Sequence, residues 1–199
     1  MTPAAGAARR APPIGVVLAG GRGRRLGGAK AMVRLRGRPL ISYPLAALRA
    51  ALTDVVVLAK PDSELPDLPG QTVWLERCAE QHPLVGIRCA LEQAGDRAAL
   101  VCAVDLPLVT AELVGGLARF RPSAPVVVAR HRDAIQPLLG CYRPEALAQL
   151  RAADLGLPMR EVVAALEPTF VEVHDPLELF NVNTPAELAR AAALLQGGS

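Results

Sequence analysis

Runs of uninterrupted apolar residues recur along the chain, and stretches with apolar residues at helical spacing fall between them. IGVVLA (14–19), DVVVLA (54–59) and AALVCAVD (98–105) each read as a strand, and TVWL (72–75) and APVVVAR (124–130) are shorter candidates. Continuous apolarity, rather than alternation, is the mark of strands covered on both faces, so these segments predict a parallel sheet. PLISYPLAALRAAL (39–52), PLVGIRCALEQAG (83–95) and TAELVGGLARF (110–120) carry the helical spacing. In the last of these Thr110 is a natural N-cap, with Leu113 and Leu117 on one face behind it. Strand and helix in alternation predict a doubly wound α/β sheet with right-handed crossovers.

The second half is less regular. QPLLGCYRPEALAQLRAAD (136–154) starts strand-like and turns helical after Pro144, LPMREVVAALE (157–167) reads as a short amphipathic helix, and TFVEVHD (169–175) alternates like a half-exposed strand. In TPAELARAAALLQ (184–196), Thr184 precedes Pro185 and stands three residues before Glu187, which is a capping box opening a final helix. No internal repeat or long linker divides the chain, so one domain is expected over 14–196, behind a disordered basic leader over 1–13.

Composition narrows the picture only a little. The chain has 199 residues, 51% hydrophobic and 21% charged, which is the balance of a globular protein. Aromatics make up 3%, so Leu, Val and Ala must fill the core, and base-stacking platforms for single-stranded nucleic acid are not expected. The four cysteines and three histidines show no metal-ligand spacing, which reads as reduced thiols in a cytoplasmic protein. No apolar run approaches the ~20 residues of a membrane span, and MTPAAGAARRAPP lacks the apolar core of a secretory signal.

Charge changes the picture more. Residues 1–50 hold ten Lys and Arg and no acid, whereas the remainder holds twelve against nineteen Asp and Glu. A basic end on an acidic body points to an anionic ligand near the N-terminal part. GVVLAGGRGRRLGGAK (15–30) concentrates that charge: six glycines, three arginines and a lysine at the exit of the first strand. Ligands of open α/β sheets bind beyond the carboxyl ends of the strands, and glycine amides with nearby cations suit phosphate. The dinucleotide-binding turn does not fit, because the third glycine gap is wrong and no acid follows before Asp54. Nor does the P-loop, because Lys30 lies between two alanines.

The string instead resembles the L-A-G-G-x-x-x-R-M-G-x-x-K signature of nucleotidyltransferases of the molybdenum cofactor guanylyltransferase type. GRPLISYPLAAL, HPLVGIRCAL, VDLPLV, QPLLGCYRPEAL and LFNVNTPAEL are similar, in order, to that family's later motifs. The likeness spans about residues 14–195; its first motif is shared with sugar-phosphate nucleotidyltransferases, and N-V-N-T-P is the more specific part. The resemblance implies a three-layer α/β/α Rossmann-like nucleotidyltransferase fold with a mostly parallel sheet. It implies transfer of GMP from GTP to the phosphate of molybdopterin with release of pyrophosphate, Mg²⁺ as cofactor, and transient contacts with other proteins of the same pathway. Nucleic acid and membrane are not expected as partners, and a monomer or weak oligomer is.

By the same resemblance, Leu18, Ala19, Gly20 and Gly21 hold the nucleotide, Lys30 neutralises the triphosphate, and Arg25 faces the reacting phosphates. Asp105, emerging at the strand end, would carry the Mg²⁺ and serve with Lys30 and Arg25 in catalysis. Glu76 is the approximate match of the base-recognition acid, and Lys60 is a loose match of a polar residue after the second strand. Asn181 and Asn183, two apart in an extended segment, would share a face; they bind the acceptor, join the metal shell or serve a turn. Arg25, Gly28, His82 and Gly86 complete the acceptor side, with Gln136 and Pro137 beside them. His82 stands where the family has glycine, and either reshapes the acceptor pocket or caps a helix.

A second reading within this chemistry is a nucleotidyltransferase that uses CTP or another NTP, or a sugar- or alcohol-phosphate acceptor. A different class is a basic-tailed module binding RNA or a protein partner, whose affinity would fall steeply with salt and survive loss of Asp105. A non-catalytic relative is disfavoured by the retained Lys30, Asp105 and paired asparagines.

Overall fold

The computed structural model describes residues 11–20, 26, 28–78, 80–119 and 124–197. Among these, the apolar runs form β1 (Ile14–Leu18), β4 (Val55–Ala59), β5 (Thr72–Leu75), β6 (Ala99–Ala103) and β7 (Val126–His131). They enter a seven-stranded sheet in the order β5-β4-β1-β6-β8-β7-β9, completed by β8 (Ala134–Tyr142) and β9 (Thr169–Glu172). The pairs β5–β4, β4–β1, β1–β6 and β7–β9 are parallel. Only β8 runs against its neighbours β6 and β7.

Successive residues of β1 explain why the run carries no polar position. Val17 packs into one core with Ile41, Leu45 and Leu48 of the α1 segment (Ser42–Ala51) and Leu113, Val114 and Leu117 of α3 (Ala111–Arg119). Val16 packs into the other with Leu84 and Ile87 of α2 (Pro83–Ala94), Leu150 of α4 (Leu147–Ala152) and Val162 and Val163 of α5 (Met159–Ala164). A strand buried on both faces has no face left for polar residues. Thr110 caps α3 as expected, accepting from Leu113 N at 3.1 Å.

Two features lie outside what the pattern predicts. A hairpin of β2 (Arg34–Leu35) and β3 (Arg38–Pro39) turns at Arg36 and Gly37, both at positive φ, in a two-residue turn of the kind that matches strand twist. Its Leu35, with Leu40, forms a third, small core with Val182 and with Ala191 of α6 (Pro185–Gly197). The other feature is an irregularity in β8: Val128 pairs with Gly140 but Ala129 with Gln136, so Pro137, Leu138 and Leu139 leave the ladder with β7. Proline, which has no N–H to give, belongs at such a break. The fully buried Tyr142 donates its hydroxyl to Pro137 O at 2.6 Å, and burial keeps that hydroxyl protonated.

Cys89, Cys102 and Cys141 are buried and Cys78 is exposed; burial raises the pKa of the Cys102 thiol strongly. No helix among the described residues is long and apolar enough to cross a membrane.

Tyr142→Phe keeps the ring and removes one donor. Unfolding in urea should show a loss of about 1 kcal/mol, with amide exchange accelerating around residues 136–140 more than in β1.

Candidate active site

The four parallel strands β5, β4, β1 and β6 end on one edge of the sheet, and each delivers a residue there. β1 runs out through Leu18, whose carbonyl accepts from Val104 N, to Ala19, whose N–H donates to Leu58 O. β6 ends at Ala103, two residues short of the strand expected from sequence, and Asp105 lies in the turn that follows. Lys60 follows β4 and Glu76 follows β5, with Glu76 N donating to Ala59 O. Together with Lys30, His82 and Gly86 these residues border a cleft of ≈ 380 Å³.

One end of the site is built on Asp105. Lys30, in a short 3-10 turn over Lys30–Met32, donates from Nζ to Asp105 Oδ2 at 2.6 Å and to Asn183 Oδ1 at 2.5 Å. The lysine and aspartate side chains are 17% and 15% exposed, so the ion pair is largely out of water. Asp105 Oδ1 is buried and has no hydrogen-bond partner among the described residues. The segments carrying the two oxygens are tied to each other, because Val182 N donates to Asp105 O at 2.9 Å. Asn183 is fixed in turn by the capping box: its N–H and that of Thr184 donate to Glu187 Oε2, and Glu187 N donates to Thr184 Oγ1. The bonds to the carboxylate from Asn183 and Thr184, the Asn183 N–H first, hold the Glu187 carboxyl below its ordinary value of 4.5.

The other end is built on Glu76, a buried carboxylate whose Oε1 is 2.9 Å from Lys60 Nζ, the side chains being 8% and 14% exposed. Lys60 Nζ also donates to Cys78 O and Glu80 O, so its three donors are all taken. Glu76 Oε2 faces Gly86, where a Cβ would lie 3.3 Å from it. A side chain at Gly86 would crowd the carboxylate and the cleft together.

His82 caps α2. Its Nδ1 accepts from Leu84 N at 3.2 Å, and Pro83 begins the helix. An Nδ1 that accepts leaves Nε2 as the nitrogen bearing the proton. No acid of the helix itself occupies the first turn of α2; the negative charge nearest its positive end is the Glu76 carboxylate beside Gly86.

Of the residues singled out from sequence, Leu18, Gly20, Lys30, Glu76, Asp105, His82 and Gly86 all border the one cleft, and Ala19 is buried beside it with only its backbone available. The grouping differs from expectation in one respect. His82 and Gly86 lie on the Glu76 side, whereas the sequence grouped them with the asparagines. Asn181 and Asn183 also part company across the buried Val182: Asn183 meets Lys30, while Asn181 accepts from Gln136 Nε2 at 3.4 Å and donates to Leu179 O. Gly28 is exposed, with nothing within 4 Å of a Cβ built on it. Arg25 and Gly21 lie outside the described residues. Sequence reasoning did not find Leu138, brought to the cleft by the break in β8, or the reach of Glu187 beyond its own helix. Among the described residues no three His, Cys, Asp or Glu side chains gather as a metal cluster, so a divalent ion here would draw on Asp105, on the amide oxygen of Asn183 beside it and on its ligand's own oxygens.

Residues 15–169 match the family model of the MobA-like NTP transferase domain. The chain is 37% identical over 185 residues to the molybdenum cofactor guanylyltransferase of Ectopseudomonas mendocina, covering 89% of this chain and 90% of that one. It is 31% identical over 200 residues to a protein of Chloroflexus aggregans named "Probable molybdenum cofactor guanylyltransferase", covering 91% and 94%. The crystal structure of molybdopterin-guanine dinucleotide biosynthesis protein A from Archaeoglobus fulgidus superposes with a TM-score of 0.76 at 24% identity, covering 92% of this chain and 98% of that one, and so shares its fold.

The low folded pKa of Glu187 fixes the sign of a pH effect. A carboxyl shifted down on folding adds stability above its unfolded pKa, and that stability is lost as pH falls through the folded value. The stability difference between wild type and Glu187→Gln should therefore be full at neutral pH and shrink below the ordinary value of 4.5, as read by denaturant unfolding at a series of pH values.

Proposed function

The chain belongs to the MobA-like NTP transferase family, and from that premise we propose that it transfers GMP from GTP to the phosphate of molybdopterin, releasing pyrophosphate. The observation that carries this reading is the pairing of Lys30 with Asp105 at the shared exit of β1 and β6. Joining two phosphates needs no protein nucleophile, because the attacking group is already an anion. What the protein must supply is charge neutralisation, alignment and a place for a metal.

The triphosphate lies along Gly20 and Lys30, whose ammonium meets its negative charge. Asp105 suits a hard divalent cation such as Mg²⁺: a buried carboxylate oxygen without a partner is an acceptor in want of one, and Mg²⁺ takes one or two carboxylates together with phosphates and water. When bound, such an ion withdraws charge from the phosphates as a Lewis acid. The acceptor's phosphate oxygen then attacks the α-phosphorus of GTP, and the bond from that phosphorus to the bridging oxygen of the β-phosphate breaks. Pyrophosphate carries the electron pair away.

Glu76 supports guanine as the base. Its carboxylate is held by a lysine with no donor left to offer, so the pair presents an acceptor to the cleft. Guanine offers a ring N–H and an amino group side by side, which a carboxylate accepts together; cytosine offers one amino group. His82 and Gly86 then serve the nucleotide half of the cleft, and Gln136 and Asn181 the acceptor half.

Pyrophosphate release, followed with each NTP and Mg²⁺ with and without molybdopterin, should occur with GTP alone and should require the pterin. Lys30→Ala should lower turnover on the order of 10²-fold, and Asp105→Asn should flatten the Mg²⁺ dependence. Asn181→Ala should raise KM for the acceptor more than for GTP. Equal release from CTP would move the base assignment, and a normal Mg²⁺ titration in Asp105→Asn would remove Asp105 as the metal's carboxylate.

A further inference from the structure

Two oxygens from distant parts of the chain converge on one ammonium. Asp105 stands 75 residues and Asn183 153 residues from Lys30, and both bond its Nζ. A carboxylate oxygen and an amide oxygen at one point are hard donors of the type a divalent cation takes. The backbones that carry the two oxygens are fastened without the lysine. Val182 N fastens one segment to the other through Asp105 O, and Glu187 fastens Asn183 by its backbone. Lys30, in contrast, reaches in on a flexible four-carbon stem from a three-residue turn. The fit is also incomplete, because Asp105 Oδ1 remains buried with no donor.

We infer that Lys30 is a built-in counter-cation that fills the metal's position at Asp105 Oδ2 and Asn183 Oδ1 until a triphosphate draws its ammonium away. An ammonium and a divalent ion cannot share one carboxylate oxygen at contact distance without strong repulsion. A metal arriving alone must therefore expel Lys30 with no new anion to receive it. A metal arriving with a triphosphate brings that anion. Metal and triphosphate thus bind as a coupled pair, and coupling between two ligands is reciprocal. The inference rests on the reading of the cleft as a site for a metal–triphosphate, but not on the base or the acceptor.

The test is calorimetric titration of Mn²⁺ alone, and of preformed Mn²⁺–tripolyphosphate, into wild type, Lys30→Met and Lys30→Gln, with thermal unfolding to show that each variant is folded. Mn²⁺ alone should bind either Lys30 variant about tenfold more tightly than wild type, within the usual range of coupling. That gain should persist in 0.5 M KCl and vanish when Asn183→Ala or Asp105→Asn is added. The preference for Mn²⁺–tripolyphosphate over Mn²⁺ should be large in wild type and much smaller in the Lys30 variants. Equal affinity for Mn²⁺ alone in wild type and both variants would overturn the inference. So would a gain that salt abolishes, which would mark a general field effect, or one that survives Asp105→Asn. If the exchange holds with tripolyphosphate while GTP binds no better than tripolyphosphate, the inference stands and the guanine reading falls.

Discussion

The ion pair between Lys30 Nζ and Asp105 Oδ2 is the constraint on which the site depends. On the proposed reading, a cleft that takes a polyphosphate cannot expose bare carboxylates, yet a metal at the same edge requires one. The protein gives each of the two cleft carboxylates its own lysine: Lys30 for the half-buried Asp105 and Lys60 for the buried Glu76. Removing one partner from a buried pair leaves an uncompensated charge, and this cost ties each carboxylate to its lysine in the empty protein. The sheet order makes the pairing possible, since parallel strands β1 and β6 are neighbours and end together.

The antiparallel insertion borders the same edge. β8 lies beside β6, and its break at Pro137–Leu139 carries Leu138 into the cleft and Gln136 toward Asn181. A fully parallel sheet would continue the edge past β6 with another strand end and its loop. The reversed strand instead sets a backbone irregularity there, locked by the Tyr142 hydroxyl. The break that carries Leu138 is thus held by a buried tyrosine, whereas Lys60, Glu76 and Asp105 follow strand ends and His82 and Gly86 belong to α2.

Much of this was legible in the residues, and the reason differs element by element. β1, β4 and β6 announced themselves because burial on both faces leaves no polar position. The caps at Thr110 and Thr184 were legible because a side chain bonding a backbone N–H three residues on is a local device. The β2–β3 hairpin was not: its strands are two residues long, and Arg36-Gly37 lacks the asparagine or aspartate that usually marks such a turn. Nor could spacing reveal that β8 enters between β6 and β7. At the site, Lys30 was named because the glycine-rich string resembles a family signature, and Asp105 because it follows a strand end that local sequence sets. The association of His82 and Gly86 with Glu76 rather than with the asparagines depends on how α2 meets β5, which no motif records.

The two lysine–carboxylate pairs are not equivalent, and the difference divides the cleft into a fixed end and an exchanging end. Lys60 has committed three donors to Glu76, Cys78 O and Glu80 O, so moving it would break a carboxylate pair and two loop contacts at once. Among the described residues Lys30 has two partners, both of them oxygens suited to a metal, and one oxygen of Asp105 is left unserved. A lysine with saturated donors defines a surface for recognition, because its carboxylate keeps one orientation whether or not a ligand is present. A lysine sharing an incomplete cradle defines a surface for exchange, because a better cation can replace it wherever the ammonium finds another anion. Recognition of a base requires the first property, and assembly of a metal–triphosphate requires the second. On the proposed reading the chain supplies them at opposite ends of one strand edge.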